Sequence, residues 1–406
     1  MDLRPVAAGE LPAFLRADEA AFHEDVHPED EREWSGLIEP ERTLAAFDGP
    51  DIVGTTAMFT RELTVPGGVV RAAAITAVGV LPTHRRRGVL TALMRQQLED
   101  VRAAGEPVAA LWASEPAIYG RFGYGLASRV AEVRLRSAGV RLLPSAPEPE
   151  GRMALIEPAE AIPRIAPLYA AVRRTRPGHL DRGDAWWRHR VYDPEHRREG
   201  RSALRAAVHE APDGAVDGYV LYAVRHAEWV DGPNAEVLVS ELLADGPHAT
   251  AAMWTFLLGL DLTRSIWWQA AAPDEPLDHL LAGPQRPRLE LYQSLWVRLV
   301  DVRAALEARA YAAPLDVVLD VADRFCPWNA GRWRLEADET GARCARTSAP
   351  ADLALDVADL GAAYLGGPSL EALAAIGRGR ELRPGALRAA SRALRGAREP
   401  YCAELF

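Results

Sequence analysis

The chain has 406 residues, too many for one ordinary domain, and its 49% hydrophobic content is enough for two or three full cores. A formal charge of −10, with arginine as the sole ordinary basic residue, argues against general nucleic-acid binding and favours cationic small molecules as partners. Cys326, Cys344 and Cys402 lack CxxC spacing, the ten histidines lack metal-ligand spacing, and no apolar run reaches membrane-spanning length, so no disulfide framework, metal site or membrane partner is expected.

The first fifteen residues are interrupted by Asp2, Arg4, Glu10 and Pro12. That excludes a signal-peptide core and points to a cytoplasmic, reducing compartment. Leu3 to Phe22 reads as a short strand and then a helix. From Asp18 to Glu41 ten acids stand against one arginine, Arg32. This stretch is either a solvated face or an acidic mouth for a polycation, in which Glu24 and Asp25, near Phe22 and Trp34, hold ammonium groups by charge and ring. Trp34 has the alternative of capping the core.

Arg42 to Phe47 and Ile52 to Thr60 read as antiparallel strands around the turn cluster Asp48-Gly49-Pro50-Asp51, and Val65 to Val69 as another turn. Next comes the segment that organises the chain. An apolar strand runs to Pro82, the turn Thr83-His84-Arg85-Arg86-Arg87-Gly88 follows, and a helix begins with Val89, Leu90 and Thr91 and carries Leu93, Met94 and Leu98 on one face. Backbone N–H groups converging at a helix start attract anions, and forked guanidinium donors match phosphate oxygens. There is no Gly-Lys-Ser/Thr and no dinucleotide glycine triplet, so neither a nucleotide P-loop nor a Rossmann cradle is indicated. A strand over Val108 to Ala113 leads to Ser114 and Glu115, which open either a ligand contact or a helix cap, and then to the aromatic run ending at Tyr124.

Pro144 to Gly151 is rich in breakers and marks a domain boundary after the strand Val130 to Leu135. The next stretch repeats the first with a period of about 160 residues, which means a duplicated domain. Leu204 to Val224 echoes Thr43 to Met58, Glu236 to Leu258 echoes the organising segment, and Ile266 to Ala270 echoes Leu111 onward. The copy has His248-Ala249-Thr250-Ala251 opposite the arginines, without a charge cluster or glycine, and reads as a scaffold that shapes the substrate cleft. Trp186-Trp187 and Trp267-Trp268 read as packing aromatics rather than ligand platforms. After Pro284 to Pro287 a third unit opens with the strand Leu295 to Val302, then a helix, strands at Asp316 to Asp320 and Trp333 to Ala337, and helices at Leu353 to Tyr364 and Leu370 to Ile376, an α+β layer. The expected domains are therefore 1–146, 147–288 and 289–406.

Val78-Gly79-Val80-Leu81-Pro82-Thr83-His84-Arg85-Arg86-Arg87-Gly88 resembles the V-x-V-x-P-x-x-R-R-x-G signature of GNAT N-acetyltransferases. Ile118 to Tyr124 resembles their Y-x-x-x-G-F segment. Together with the length, Trp34 and the ending Tyr401-Cys402-Ala403-Glu404-Leu405-Phe406, the whole chain resembles the Eis (enhanced intracellular survival) family of aminoglycoside acetyltransferases. The resemblance implies an α/β architecture of two tandem GNAT-like mixed-sheet domains, the second degenerate, followed by a sterol-carrier-like α+β domain. It implies acetyl-CoA as donor, with its phosphates at Arg85 to Thr91 and its pantetheine arm against Val78, Gly79, Val80, Ser114 and Glu115. Tyr119 becomes the proton donor to the departing thiolate, with Tyr124 as its rival; a phenol of pKa about 10 can protonate a thiolate whose conjugate acid lies near 8.5. Glu404 joins the substrate residues, and the terminal carboxylate on Phe406 becomes the acceptor of the amine proton. A homo-hexamer follows from the same resemblance. A protein-lysine or peptide acetyltransferase and a lipid-binding protein built on the C-terminal unit are the alternatives.

Overall fold

The structure, a computed structural model, describes residues 2–25, 27–226, 234–338 and 340–406; Met1 of the leader reading lies outside them. Two units cut across chain order. The first gathers residues up to Ser128, Arg176–Asp181 and Gln293–Phe406, and the second Arg129–Thr175 with Arg182–Tyr292.

The first unit opens with β1 (Asp2–Arg4), α1 (Leu11–Phe22), α2 (Pro28–Ser35), β2 (Thr43–Asp48), β3 (Asp51–Val65) and β4 (Gly68–Val80). It continues with α3 (Val89–Ala103), β5 (Val108–Trp112), α4 (Pro116–Tyr119) and β6 (Gly125–Leu126). Its sheet runs β1-β2-β3-β4-β5, then Leu295–Leu299, then β6. Helix α1 buries Leu11, Phe14, Leu15 and Ala21 and ends where His23 turns left-handed, its N–H returning to the Glu19 and Ala20 carbonyls. Helix α3 buries Val89, Leu93, Met94, Leu98 and Val101, and each such side chain contributes about 1.5–3 kcal/mol by leaving water.

Leu295–Leu299, expected to open a separate third unit, instead lies antiparallel to β5, with Leu295 opposite Trp112 and Leu299 opposite Val108. The residues after it share a core with the first sheet: Val300, Phe325 and Cys326 belong to one apolar cluster with Met94, Tyr119, Phe122 and Tyr124. Fully buried Arg298 pairs with Asp323 at 2.6 Å in the same region. The C-terminal part carries its own sheet, ordered Gly341–Arg346, Gly331–Asp338, Leu315–Ala322, Leu353–Asp356, Arg380–Glu381. Leu353–Asp356, expected as helix, is thus a strand parallel to Leu315–Ala322. The helix starts only at Val357, because the Asp356 carboxylate accepts from the Ala358 N–H and Asp359 closes the capping box.

The second unit repeats the plan of the first. Arg205–Glu210 and Val216–Arg225 form a hairpin, Ala235–Ala244 extends it antiparallel, the helix Pro247–Leu258 follows, and Thr263–Ala271 returns parallel to Ala235–Ala244. The strand Arg129–Arg136 joins this sheet, antiparallel to Thr263–Ala271. One detail of the sequence alignment changes. Gly246, at φ 99°, caps the helix as Gly88 caps α3, so the copy keeps its glycine, and His248 to Ala251 lie inside the helix. What it has lost is the arginine turn, reduced to Asp245 and Gly246. Trp187 and Trp268 are buried, the first edge-on to Tyr169, while Trp267 lies between Arg134 and Arg225.

Candidate active site

The site begins with a fault in the β3–β4 ladder. Thr55 faces Gly79 and Ala57 faces Thr76, so Ala77 and Val78 together stand opposite Thr56, and Ala77 takes φ 50° to form this bulge. Beyond it β4 leaves its parallel neighbour: pairing with β5 ends at Ile75 opposite Leu111, although β4 runs on to Val80. The edge of Thr76–Val80 therefore has no β5 partner. A cleft of about 710 Å³ opens there, lined by Val78, Gly79 and Val80, by the turn and the first residues of α3, by Ser114, Glu115, Ile118 and Tyr119, and by Ala21, Phe22 and His23 from the end of α1. One volume thus joins most of the predicted donor-binding residues.

Within the turn the three arginines have different partners. Arg85 donates from Nε to the Val80 carbonyl at 3.1 Å and from Nη2 to the Ala21 carbonyl at 2.7 Å, which ties the turn to β4 and α1. His84 completes the turn between the Thr83 hydroxyl and Asp48. Arg86 and Arg87 are exposed and have no hydrogen-bond or ion-pair partner among the described residues; Arg86 lines the cleft and Arg87 does not. A phosphate fits this architecture. No side chain caps α3, so the N–H groups at its start remain available, and Gly88, at φ 84°, has open space where a Cβ would stand. Gly79 is required for the opposite reason, since a Cβ there would come within 2.9 Å of Ala21 Cβ and 3.0 Å of Asp18 Oδ1. Replacing Arg86 with Ala is expected to raise the Michaelis constant for acetyl-CoA roughly tenfold and leave that of the amine near the parent value. Steady-state kinetics in both substrates checks this, and an unchanged acetyl-CoA constant in a folded variant removes Arg86 from the phosphate site.

Tyr119 closes the other end of the cleft. Burial pushes its hydroxyl up to about 12, the charges of Asp18 and Glu115 act in the same direction, and a hydrogen bond with the Ser114 side chain opposes them. The hydroxyl therefore carries its proton at neutral pH. Tyr124, packed edge-on to Tyr119 at 6.0 Å, is fully buried and absent from the cleft lining, and its hydroxyl has no hydrogen-bond partner among the described residues. Its position is that of a core residue.

On the amine side the predicted residues are only partly gathered. Phe22 lines the cleft, Glu24 and Asp25 are exposed just beyond it, and half-buried Trp34 stacks on buried Phe59 at 6.5 Å without lining it. The final residues alternate, with Tyr401, Cys402, Glu404 and Phe406 buried and Leu405 exposed. The Glu404 carboxylate, expected at the substrate, receives Arg61 Nη2 at 2.7 Å. The same Arg61, buried on β3, meets the Asp181 carboxylate at 3.1 Å and also donates to the Asp181 carbonyl. Glu404's charge is therefore balanced by a guanidinium. The three cysteines are buried and form no disulfide among the described residues.

Two groups escaped the sequence reading. Arg61 is a basic residue inside an apolar strand. Asp18 falls in the stripe Leu11, Phe14, Leu15, Asp18, Ala21, whose helical spacing faces the sheet. Its Oδ1 accepts from the Thr55 hydroxyl at 3.1 Å, and loss of hydration pushes its carboxyl up to about 7.

Known proteins share this arrangement. The acetyltransferase (GNAT) domain family matches residues 2–127 and a second GNAT family residues 178–304, while the sterol carrier protein domain matches residues 302–403. An uncharacterized N-acetyltransferase of Streptomyces avermitilis is 48% identical over 383 residues, covering 94% of this chain and 93% of its own. N-acetyltransferase Eis of Mycobacterium tuberculosis is 34% identical over 380 residues, 90% of each chain. The crystal structure of Eis1 from Mycobacterium abscessus superposes with a TM-score of 0.88 at 35% identity, covering both chains completely. Likeness of this degree is not confined to the cleft but runs through the degenerate copy to the buried terminus, and the chain belongs to the Eis family of GNAT N-acetyltransferases.

Proposed function

We propose that this N-acetyltransferase transfers acetyl groups to the amines of polycationic small molecules, aminoglycosides among them, by direct transfer in a ternary complex. GNAT acetyltransferases draw the acetyl group from acetyl-CoA, which supplies an activated thioester carbonyl. The observation that carries the reading is the continuity of the cleft: the basic turn, the open edge of β4 and Tyr119 border one volume, and Phe22 and His23, inside the acidic stretch from Asp18 to Glu41, line it too. In this reading Arg86 and the start of α3 hold the phosphates, and the β4 edge at Val78, Gly79 and Val80 receives the pantetheine amides. A backbone N–H of that edge polarises the thioester carbonyl. Tyr119 gives its proton to the departing thiolate. Phe406, by family resemblance, carries the carboxylate that takes the first proton from the ammonium. The same resemblance carries forward a homo-hexamer, a cytoplasmic location and the assignment of catalysis to residues 1–146.

Thiol release from acetyl-CoA tests the reading. It should be fast with a kanamycin-like amine, slow with a lysine peptide and negligible without an acceptor. Release with the peptide alone assigns a peptide acetyltransferase instead, and no release with any amine removes the catalytic reading. Adding one or two residues after Phe406 should lower turnover at least tenfold or so, with acetyl-CoA binding and thermal unfolding near the parent's. An extended enzyme as fast as the parent takes the proton-accepting role away from Phe406.

A further inference from the structure

An ammonium that becomes an amide must shed two protons, one before it attacks the thioester and one after, while the leaving thiolate needs one proton back. Tyr119 meets the last demand but ends the turnover as a phenolate, which must be reprotonated before the next cycle. A second acceptor that returns its proton to Tyr119 would close the account.

Asp18 lies directly behind the cleft lining, against Gly79. It lies on the sheet-facing side of α1, three residues before Ala21 and four before Phe22, both of which line the cleft. Its carboxylate rests against Gly79, the cleft residue beside the bulge, so closely that a Cβ on Gly79 would lie 3.0 Å from Oδ1. Thr55, the ladder partner of Gly79, donates to that oxygen at 3.1 Å and fixes its direction. Among the charges of the described residues, Asp18 raises the proton affinity of the Tyr119 hydroxyl most and Glu115, only four residues from Tyr119, comes second. Several charges surround it. Glu19 and Glu24 from α1 and the loop after it disfavour its negative form, its own charge acts on Tyr119 of α4, and Arg85 is held at the Ala21 carbonyl one turn away.

We propose that Asp18 accepts the second amine proton and passes it to Tyr119. This rests on the acetyl-transfer reading. The amine nitrogen forms its bond to the acetyl carbon, the carbon–sulfur bond breaks, and the sulfur takes the Tyr119 proton. The nitrogen then gives its extra proton to the Asp18 carboxylate, through water, and the neutral carboxyl reprotonates the phenolate. Carbon, sulfur and protons balance: amine and thioester become amide and thiol, and both side chains return to their starting states. The affinities run in the needed direction. A carboxyl pushed up to about 7 holds a proton transiently near neutral pH and yields it to a phenolate whose conjugate acid lies near 12.

Asp18→Asn keeps the shape and leaves an amide oxygen for Thr55. It should lower turnover about a hundredfold with acetyl-CoA binding unchanged, and the fall in the parent's rate below about pH 7 should disappear. Adding Asp18→Asn to Tyr119→Phe should slow the enzyme no further than Tyr119→Phe alone, because the two groups act on one proton. Thr55→Val should lose far less than Asp18→Asn. The protein alone provides a separate readout. A carboxyl whose folded affinity lies above the ordinary 3.8 loses stability as pH rises through about 7, so the variant's Tm should gain on the parent's from about pH 4 and level off above 7. Full activity with an unchanged acid limb in Asp18→Asn, or additive losses in the double variant, overturns the proposal. If the parent releases no thiol with any amine, the acetyl-transfer reading falls first, and that outcome is recognisable before any variant is made.

Discussion

Tyr119→Phe is expected to lower turnover by at least a factor of about 100, the low end of what a positioned acid contributes, with little change in either Michaelis constant. The ring stays in the apolar cluster with Phe122 and Tyr124, so the fold should not register the change. What disappears is the hydroxyl of Tyr119, the tyrosine that lines the cleft among the described residues. Tyr124→Phe is the matching control with the opposite expectation. Its hydroxyl is buried without a hydrogen-bond partner among the described residues, so removing it relieves a desolvated polar group and should leave stability equal or higher and turnover unchanged. The two variants have the same chemistry, lie five residues apart and belong to one aromatic cluster. A larger kinetic loss in Tyr124→Phe than in Tyr119→Phe would move the proton-donating role into the core and contradict the geometry.

The second large effect is expected at Arg61, far from the motifs. Arg61→Met keeps much of the stem but removes the cation that balances Glu404, whose side chain is 7% exposed. Removing one member of a buried ion pair costs about 3–5 kcal/mol. Denaturant unfolding should report a loss of that order. The partly exposed Asp181 carboxylate can turn to water, so most of the penalty should come from Glu404. Adding Glu404→Gln to Arg61→Met should therefore restore much of the stability, because the buried negative charge goes together with the cation that balanced it. Turnover should stay low in the double variant if the Arg61 contact seats the terminal residues in the position that Phe406 needs. A stable, fully active Arg61→Met enzyme would show that apolar contacts of Tyr401 and Phe406 hold the tail unaided.

The donor half of the site was legible because it is local. Strand, turn and helix follow one another within Ile75 to Met94, and the residue types that form them also suit an anion, so periodicity and the Arg/Gly turn predict both the elements and the basic wall of the cleft. Even there the division of labour among the arginines was not written in the chain. Arg85 and Arg86 look alike in sequence and both line the cleft, and only the arrival of α1, whose Ala21 carbonyl takes the Arg85 guanidinium, makes one a structural brace and leaves the other without a protein partner among the described residues.

The acceptor half depends on contacts between residues far apart in the chain. Glu404 and Arg61 are separated by 343 positions, and neither carries a local signal that it will meet the other. Asp18 was counted as one of ten acids in a charged stretch, although its helical phase already set it among Leu11, Phe14 and Ala21 on the buried side of α1. Strand exchange was equally hidden. Arg129–Arg136 alternates and Leu295–Leu299 is nearly all apolar, so each is able to add to a sheet, and each pairs in a different sheet from the one its place in the chain suggests.

By itself, then, the sequence determined most of the elements, the duplication, the family and the Arg/Gly turn between β4 and α3, because all of these are written in residue type and spacing over short stretches. Tertiary structure alone decided which charge is balanced by which, which tyrosine reaches the cleft, and how the C-terminal residues join the first sheet. Those outcomes depend on desolvation and on pairing across hundreds of residues, and a carboxylate acquires its proton affinity from what packs around it.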